Sequence, residues 1–158
     1  MKNAPKKDPE LSIYVERMLR FIQLLRIYEM VLRLPKEQDE GNGHVSMRGT
    51  MMSVVYSFFY SLIERDPKGV DFFRIWRKRL PDMKSELDEL EARIEPMRKG
   101  LRLFRNRFGF HGSISRKHEL PAFDVLKEFS GTQIYKTMLD MRNLSTKMLT
   151  VHMARTEK

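Results

Sequence analysis

Cysteine is absent from the 158 residues of this sequence. Disulfide bonds and thiolate metal sites are therefore excluded, and a chain without them suits a reducing compartment, so we expect a cytoplasmic protein. No segment reaches the roughly 18 apolar residues of a membrane-spanning helix, so we expect no membrane association. Residues 1–10 carry charge but no apolar run, which predicts a flexible tail rather than a signal peptide.

Several familiar catalytic motifs are missing as well. The four histidines are scattered, and neither a His-Glu-x-x-His nor a Glu-x-x-His pairing occurs, so the sequence predicts no metal site. Glycine-rich phosphate-binding loops and the strained serine turn of many hydrolases are also lacking. We therefore expect a protein without a metal ion or another cofactor.

Acidic residues are fewer than basic residues in this sequence. Thirty Lys and Arg residues against twenty-one Asp and Glu residues give a formal net charge of +9 and an isoelectric point near 9.9. Such an excess favours a polyanionic partner, namely RNA, DNA or an acidic protein. Because no run of Lys and Arg is longer than three residues, a solvated basic surface is an equally open interpretation of the charge alone.

Apolar residues recur every three or four positions along most of the chain, which is typical of amphipathic helices. With 41% hydrophobic residues, the chain has enough apolar material for one core, so residues 11–158 are predicted to form a single domain. Pro96 either kinks one long helix or begins a new one, and Gly131 is predicted to end a short helix. The predicted fold is all-α, an antiparallel bundle of four long helices (11–34, 46–64, 81–108 and 132–153) with two short helices (70–79 and 121–130).

Two polar or aromatic features inside these helices each allow two interpretations. Ser53 and Ser57 lie on one stripe with Tyr60, and their hydroxyls are expected to bond to preceding backbone carbonyls; the alternative is a functional cavity. Trp76 lies within a basic segment and could stack on a nucleic-acid base. The interpretation we favour places Trp76 in the core.

The segment from Phe104 to Gly112 carries the chemistry that the sequence suggests. Arg105 and Asn106 are followed by His111, where a helical segment runs into two glycines. RNA can be cleaved without a metal when an imidazole moves protons to and from the reacting oxygens and a guanidinium stabilises the charge on the phosphorus. The same residues could also be an ordinary helix end, with His111 bonded to terminal carbonyls and the arginines solvated.

Further cations are predicted around that segment. Arg98, Arg102 and Arg105 share one edge of the predicted helix, beside an apolar stripe that would dock the helix on the core. We expect Arg98, Arg102 and Arg107 to bind RNA phosphates.

Arg105-Asn106, the four residues after them, and then His111, late in an all-α chain, resemble the motif of the HEPN superfamily. Segments Ile94–Arg98 and Leu103–Arg107 resemble abortive-infection proteins of that type, and Ser57–Arg65 is similar to the second helix of that group. The resemblance spans most of residues 11–154. It implies a helical homodimer in which two motifs face each other and cleave RNA, with Arg105 and His111 catalytic and Asn106 supporting.

The function expected from these observations is a metal-independent endoribonuclease whose Arg/His site lies at a homodimer interface. Such a protein would act as a toxin or an antiviral defence component, with RNA as substrate and an antitoxin protein as a further partner. The alternative is a non-catalytic helical homodimer that binds nucleic acid or a partner protein, because an inactive bundle would retain the same core.

Overall fold

The structure, a computed structural model, describes residues 8–35, 47–108, 127 and 129–156, with the side chains of 107 and 108 left aside. Throughout these ranges the regular structure is helical and no strand occurs, which confirms the predicted all-α class. The helices are α1 (Pro9–Leu32), α2 (Met47–Ile63), α3 (Phe72–Arg79), a 3-10 turn (Pro81–Met83), α4 (Lys84–Phe108) and α5 (Gly131–Thr156). Most of the short helix predicted at 121–130 lies outside the described residues.

Aspartates begin two of the helices. The Asp8 carboxylate accepts a hydrogen bond from the Leu11 amide at 3.1 Å, and Asp71 accepts one from the Phe73 amide at 3.0 Å. These bonds satisfy amides that have no carbonyl partner in the first turn. The sequence pattern placed both helix starts within two residues of the observed ones, α1 starting at Pro9 and α3 at Phe72.

Gly131 begins α5, so the prediction that it ends a short helix is wrong. Ser130 explains the difference, because its hydroxyl accepts a hydrogen bond from the Gln133 amide at 3.1 Å and so caps the helix that follows. A glycine beside a serine is compatible with either end of a helix, and here the serine cap decides.

Pro96 lies inside the continuous helix α4, so the second of the two interpretations, a new helix, does not hold. Proline cannot donate a hydrogen bond to the carbonyl four residues earlier, here that of Ala92. Both Pro96 and Ala92 are exposed, so water can bond to that carbonyl. The helix therefore tolerates the proline on its outer face.

A single core collects the apolar faces of all five α-helices. Trp76 is fully buried in it, with its ring edge-on to Tyr14 at a centroid distance of 5.4 Å, which confirms the core interpretation of the tryptophan. The Tyr14 hydroxyl in turn shares a 2.5 Å hydrogen bond with the Ser145 hydroxyl. The largest fully buried side chains are Trp76, Tyr14, Phe21, Phe59, Phe72, Phe73 and Phe104.

The two serines of the α2 stripe have different environments. The Ser53 hydroxyl donates to the Gly49 carbonyl at 2.8 Å, as predicted. The Ser57 hydroxyl is buried and has no hydrogen-bond partner among the described residues, so the same prediction is wrong for Ser57. Only one of the two stripe serines therefore bonds as predicted.

Helix α4 runs alongside α2 in the opposite direction. Tyr56 packs on Phe104 with 5.5 Å between ring centroids, while the Ile63 carbonyl, two turns further along α2, accepts a hydrogen bond from Arg98, earlier in α4. This antiparallel register places the last turn of α2 beside the second half of α4. The predicted site residues on α4 therefore have α2 side chains as neighbours.

Candidate nucleic-acid interface

Arg105 is held in place on three sides. One Nη donates to the Glu64 carboxylate, the guanidinium carbon lies 4.9 Å from the centre of the Tyr60 ring, and the Asn106 amide oxygen accepts from Nε and the other Nη at 3.4 and 3.3 Å. The Arg105 side chain is 21% exposed to solvent. The guanidinium is thus oriented yet reachable from solvent, unlike the freely solvated arginine of the helix-end interpretation.

The Tyr60 ring lies beneath this guanidinium, and Tyr60 is almost completely buried. Burial and the nearby Glu64 carboxylate raise the pKa of its hydroxyl, while the positive charges of Arg105, Arg102 and Arg98 oppose the rise. The positive charges of three α4 arginines are therefore close enough to Tyr60 of α2 to affect the pKa of its hydroxyl. The predicted arginine edge of α4 lies along this part of α2.

The other predicted phosphate-binding residues differ from one another. Arg102 is exposed and has no carboxylate within ion-pair distance in the described part of the chain. The Arg98 side chain is only 12% exposed and contacts Glu95 at 3.0 Å, Glu91 at 3.3 Å and the Ile63 carbonyl. Arg102 can bind a phosphate as it stands, whereas Arg98 is less exposed than Arg105 and is ion-paired with two carboxylates where Arg105 has one within the ranges described.

His111 lies outside the described residues, and so does the side chain of Arg107. Their predicted roles stay predictions. Of the predicted catalytic residues, the structure brings Arg105 and Asn106 into contact and places both at the end of α4 that continues toward His111.

Tyr60, Glu64 and Arg17 were not identified by the sequence as part of this site. Arg17 of α1 donates from Nη2 to the Ser61 hydroxyl at 2.8 Å, one turn of α2 before Glu64. A local signal exists only for Tyr60 and Glu64, whose spacing of four residues places them on one helical face. Nothing in the sequence near Arg17 indicates a contact with α2, because the two segments lie 44 positions apart.

Two kinds of feature are absent from the described residues. No group of three or more histidine, aspartate or glutamate side chains there could hold a metal ion. None of the helices in the same ranges combines the length and the apolar composition needed to cross a bilayer.

No protein-family model matches this sequence, and comparisons with curated proteins and with solved structures give no match.

Proposed function

We propose that this chain is a metal-independent endoribonuclease of the HEPN type. In this proposal its long helices form the antiparallel HEPN bundle, and two copies associate so that their Arg105 and His111 residues line one cleft. RNA is the substrate, and the biological role is that of a toxin or an antiviral defence component controlled by a partner protein.

The observation that carries the proposal is the fixed guanidinium of Arg105. A cation held by a carboxylate, an aromatic ring and an amide loses less conformational freedom when it binds a phosphate than a solvated arginine does. It remains partly exposed at the end of α4, six positions before His111. Orientation with access is what stabilisation of a charged transition state requires.

The chemistry divides between the two side chains. The His111 imidazole would take the proton of the RNA 2′-hydroxyl and deliver a proton to the leaving 5′-oxygen, since an imidazole changes charge near neutral pH. Arg105 stays charged throughout and would stabilise the negative charge on the phosphorus. Asn106 would keep the guanidinium oriented through its amide oxygen.

The test is cleavage of single-stranded RNA by purified wild-type protein and by His111→Ala and Arg105→Ala variants, with EDTA present. Loss of a general acid-base group should lower the rate by a factor of about 100 or more. The products should end in a 2′,3′-cyclic phosphate, because the attacking oxygen belongs to the adjacent ribose.

Arg142→Ala is the matched control for Arg105→Ala. Arg142 contacts the amide oxygen of the next residue, Asn143, at 3.3 and 3.2 Å, as Arg105 contacts Asn106, but it has no ion-paired carboxylate or aromatic ring of its own in the described residues. The Arg142→Ala variant should therefore cleave RNA at the wild-type rate. Cleavage by folded His111→Ala at the wild-type rate would disprove the HEPN-type mechanism, because the imidazole would then not be the acid-base group.

The second candidate is a helical homodimer that binds RNA without cleaving it. Exposed Arg102, which has no carboxylate within ion-pair distance among the described residues, favours it, because a phosphate contact there needs no histidine. Absence of cleavage by the wild-type protein, together with salt-dependent binding, would support this candidate.

A further inference from the structure

Arg17 connects α1 to the end of α2. Its Nη2 atom donates to the Ser61 hydroxyl at 2.8 Å and lies 3.5 Å from the Ser61 carbonyl oxygen, while its guanidinium carbon is 5.9 Å from the centre of the Phe58 ring. The side chain is partly buried between the two helices. Arg17 is therefore an ordered cation, and one of its Nη atoms, together with Nε, has no hydrogen-bond partner among the described residues.

Several other partly buried arginines of this protein have carboxylate partners, whereas partly buried Arg142 contacts the Asn143 amide oxygen instead. Arg79, 8% exposed, contacts Asp8 at 2.6 Å, and Arg77, Arg98 and Arg105 also have carboxylates within 4.0 Å. No carboxylate lies within that distance of Arg17 in the described ranges. Burial lowers the pKa of Arg17, and the charge of Glu64 only partly opposes this. A half-buried cation without a counterion is costly unless a ligand supplies the anion.

The position of Arg17 relates it to Arg105. Ser61 lies in the last turn of α2, and Glu64 directly follows Ile63, the last residue of that helix. Arg17 reaches Ser61 from α1, and Arg105 reaches Glu64 from α4. Two guanidiniums thus approach the same turn of α2 from its two neighbouring helices.

We propose that Arg17 is a second cation of the Arg105 site and binds an RNA phosphate next to the one that Arg105 binds. The proposal rests on RNA being the ligand of that site, as the proposed function states. In this arrangement Ser61 and Phe58 position the Arg17 guanidinium. Its Nε and its other Nη, which have no partner among the described residues, donate hydrogen bonds to the phosphate oxygens. The chain then contacts at least two successive phosphates, one through α1 and one through α4.

The experiment measures RNA binding separately from cleavage. His111→Ala protein is used as background, with and without Arg17→Gln, and binding to a fluorescent single-stranded RNA is followed by anisotropy at increasing potassium chloride concentrations. Loss of a charged phosphate contact should weaken binding about tenfold at low salt. The slope of log K against log salt should fall by about 0.7, the value for one phosphate contact on a single strand.

Arg20→Gln is the control on the same helix. The Arg20 side chain is 65% exposed and pairs with Glu16 at 2.6 Å, one turn away, so its replacement removes the same charge at a site with no link to α2. It should change affinity less than twofold. Equal effects of Arg17→Gln and Arg20→Gln would overturn the proposal, as would unchanged binding by Arg17→Gln or no RNA binding at all.

Two further variants keep the proposal testable if Arg17→Gln unfolds. Arg17→Lys keeps the charge but loses the forked donor geometry, so it should retain most of the salt slope and still bind several-fold more weakly than the background protein. Ser61→Ala removes the 2.8 Å contact that positions the guanidinium and should also weaken binding. If both fold and both bind like the background protein, Arg17 is structural. Normal binding by Arg17 variants with active cleavage overturns only this inference, whereas weakened binding without any wild-type cleavage overturns only the nuclease.

Discussion

Two groups of arginines lie along α4, and they differ in their carboxylate partners. The central cluster, near the middle of the helix, contains as many carboxylates as arginines: Arg65, Arg77, Arg98, Asp88, Glu91 and Glu95. The terminal cluster lies around the last turn of α2 and, among the described residues, has one carboxylate for its arginines: Arg17, Arg102, Arg105 and Glu64, beside the Tyr60 ring.

In the central cluster one carboxylate serves three cations. Glu91 accepts from Arg77 at 2.5 Å, Arg65 at 3.1 Å and Arg98 at 3.3 Å. In the terminal cluster Glu64 forms an ion pair with Arg105 alone, as far as the described part of the chain extends. Arginines of the same pair of helices therefore serve different purposes. A closed, neutral cluster joins helices, whereas an open, positive cluster is available to an anion from outside.

The largest expected effect comes from removing the shared carboxylate of the central cluster. Glu91→Ala leaves Arg98, only 12% exposed, without one of its partners. We expect a loss of about 2 kcal/mol in the free energy of unfolding, below the value for fully buried pairs because Arg65 and Arg77 reach solvent. Urea denaturation followed by circular dichroism measures it, with exposed Glu89→Ala as control. Weakened RNA binding by the folded variant would contradict the separation of the two clusters.

Acid should weaken the central cluster through the same residue. Burial alone would raise the pKa of Glu91, but hydrogen bonds from Arg77 and Arg65 outweigh it, so the pKa is lowered from its usual 4.5. The stabilisation is then complete above that value and is lost as the pH falls through the folded-state pKa. Unfolding free energies between about pH 3 and pH 7 should decline less for Glu91→Gln than for the wild type. Parallel curves would exclude this carboxyl as the cause.

Glu64→Gln tests the terminal cluster in the opposite direction. The amide keeps an acceptor for Arg105 but removes the one negative charge that the described residues give that cluster, and this charge competes with phosphate. One charge at about 4 Å in water is worth about 1 kcal/mol, so RNA should bind about fivefold more tightly at low salt, and the gain should vanish at high salt. Weaker binding would mean that the Glu64 charge is needed to orient Arg105.

The smallest effect is expected outside both clusters. A methyl group at Gly131 would meet no atom within 4 Å, and the backbone there is not in the left-handed region. Gly131→Ala should raise the free energy of unfolding by about 0.5 kcal/mol, since alanine loses less backbone freedom on folding. Thermal unfolding measures this change, and its size is the reference for the larger changes expected from the cluster variants. A lower melting temperature would show that the start of α5 depends on glycine.

Much of the fold was predictable from spacing. The helices expected at 11–34, 46–64, 70–79 and 132–153 are observed as Pro9–Leu32, Met47–Ile63, Phe72–Arg79 and Gly131–Thr156, with ends that differ by at most three residues. Periodic apolar residues are a local signal, so a window of a few turns is enough to detect it. The same reasoning failed at Gly131, where the hydroxyl of a single serine decides which helix the glycine joins.

The candidate site was predictable only in part. The sequence by itself determined that the chain is helical, strongly basic, and carries Arg105 and Asn106 near the end of a long helix. Tertiary structure decided which arginines are neutralised: Arg105 pairs with a glutamate 41 positions away, and Arg17 contacts Ser61 across 44 positions with no carboxylate in ion-pair distance among the residues described. Helical periodicity specifies neighbours one turn away, whereas the charge that a guanidinium retains depends on which side chains packing brings to it from other helices.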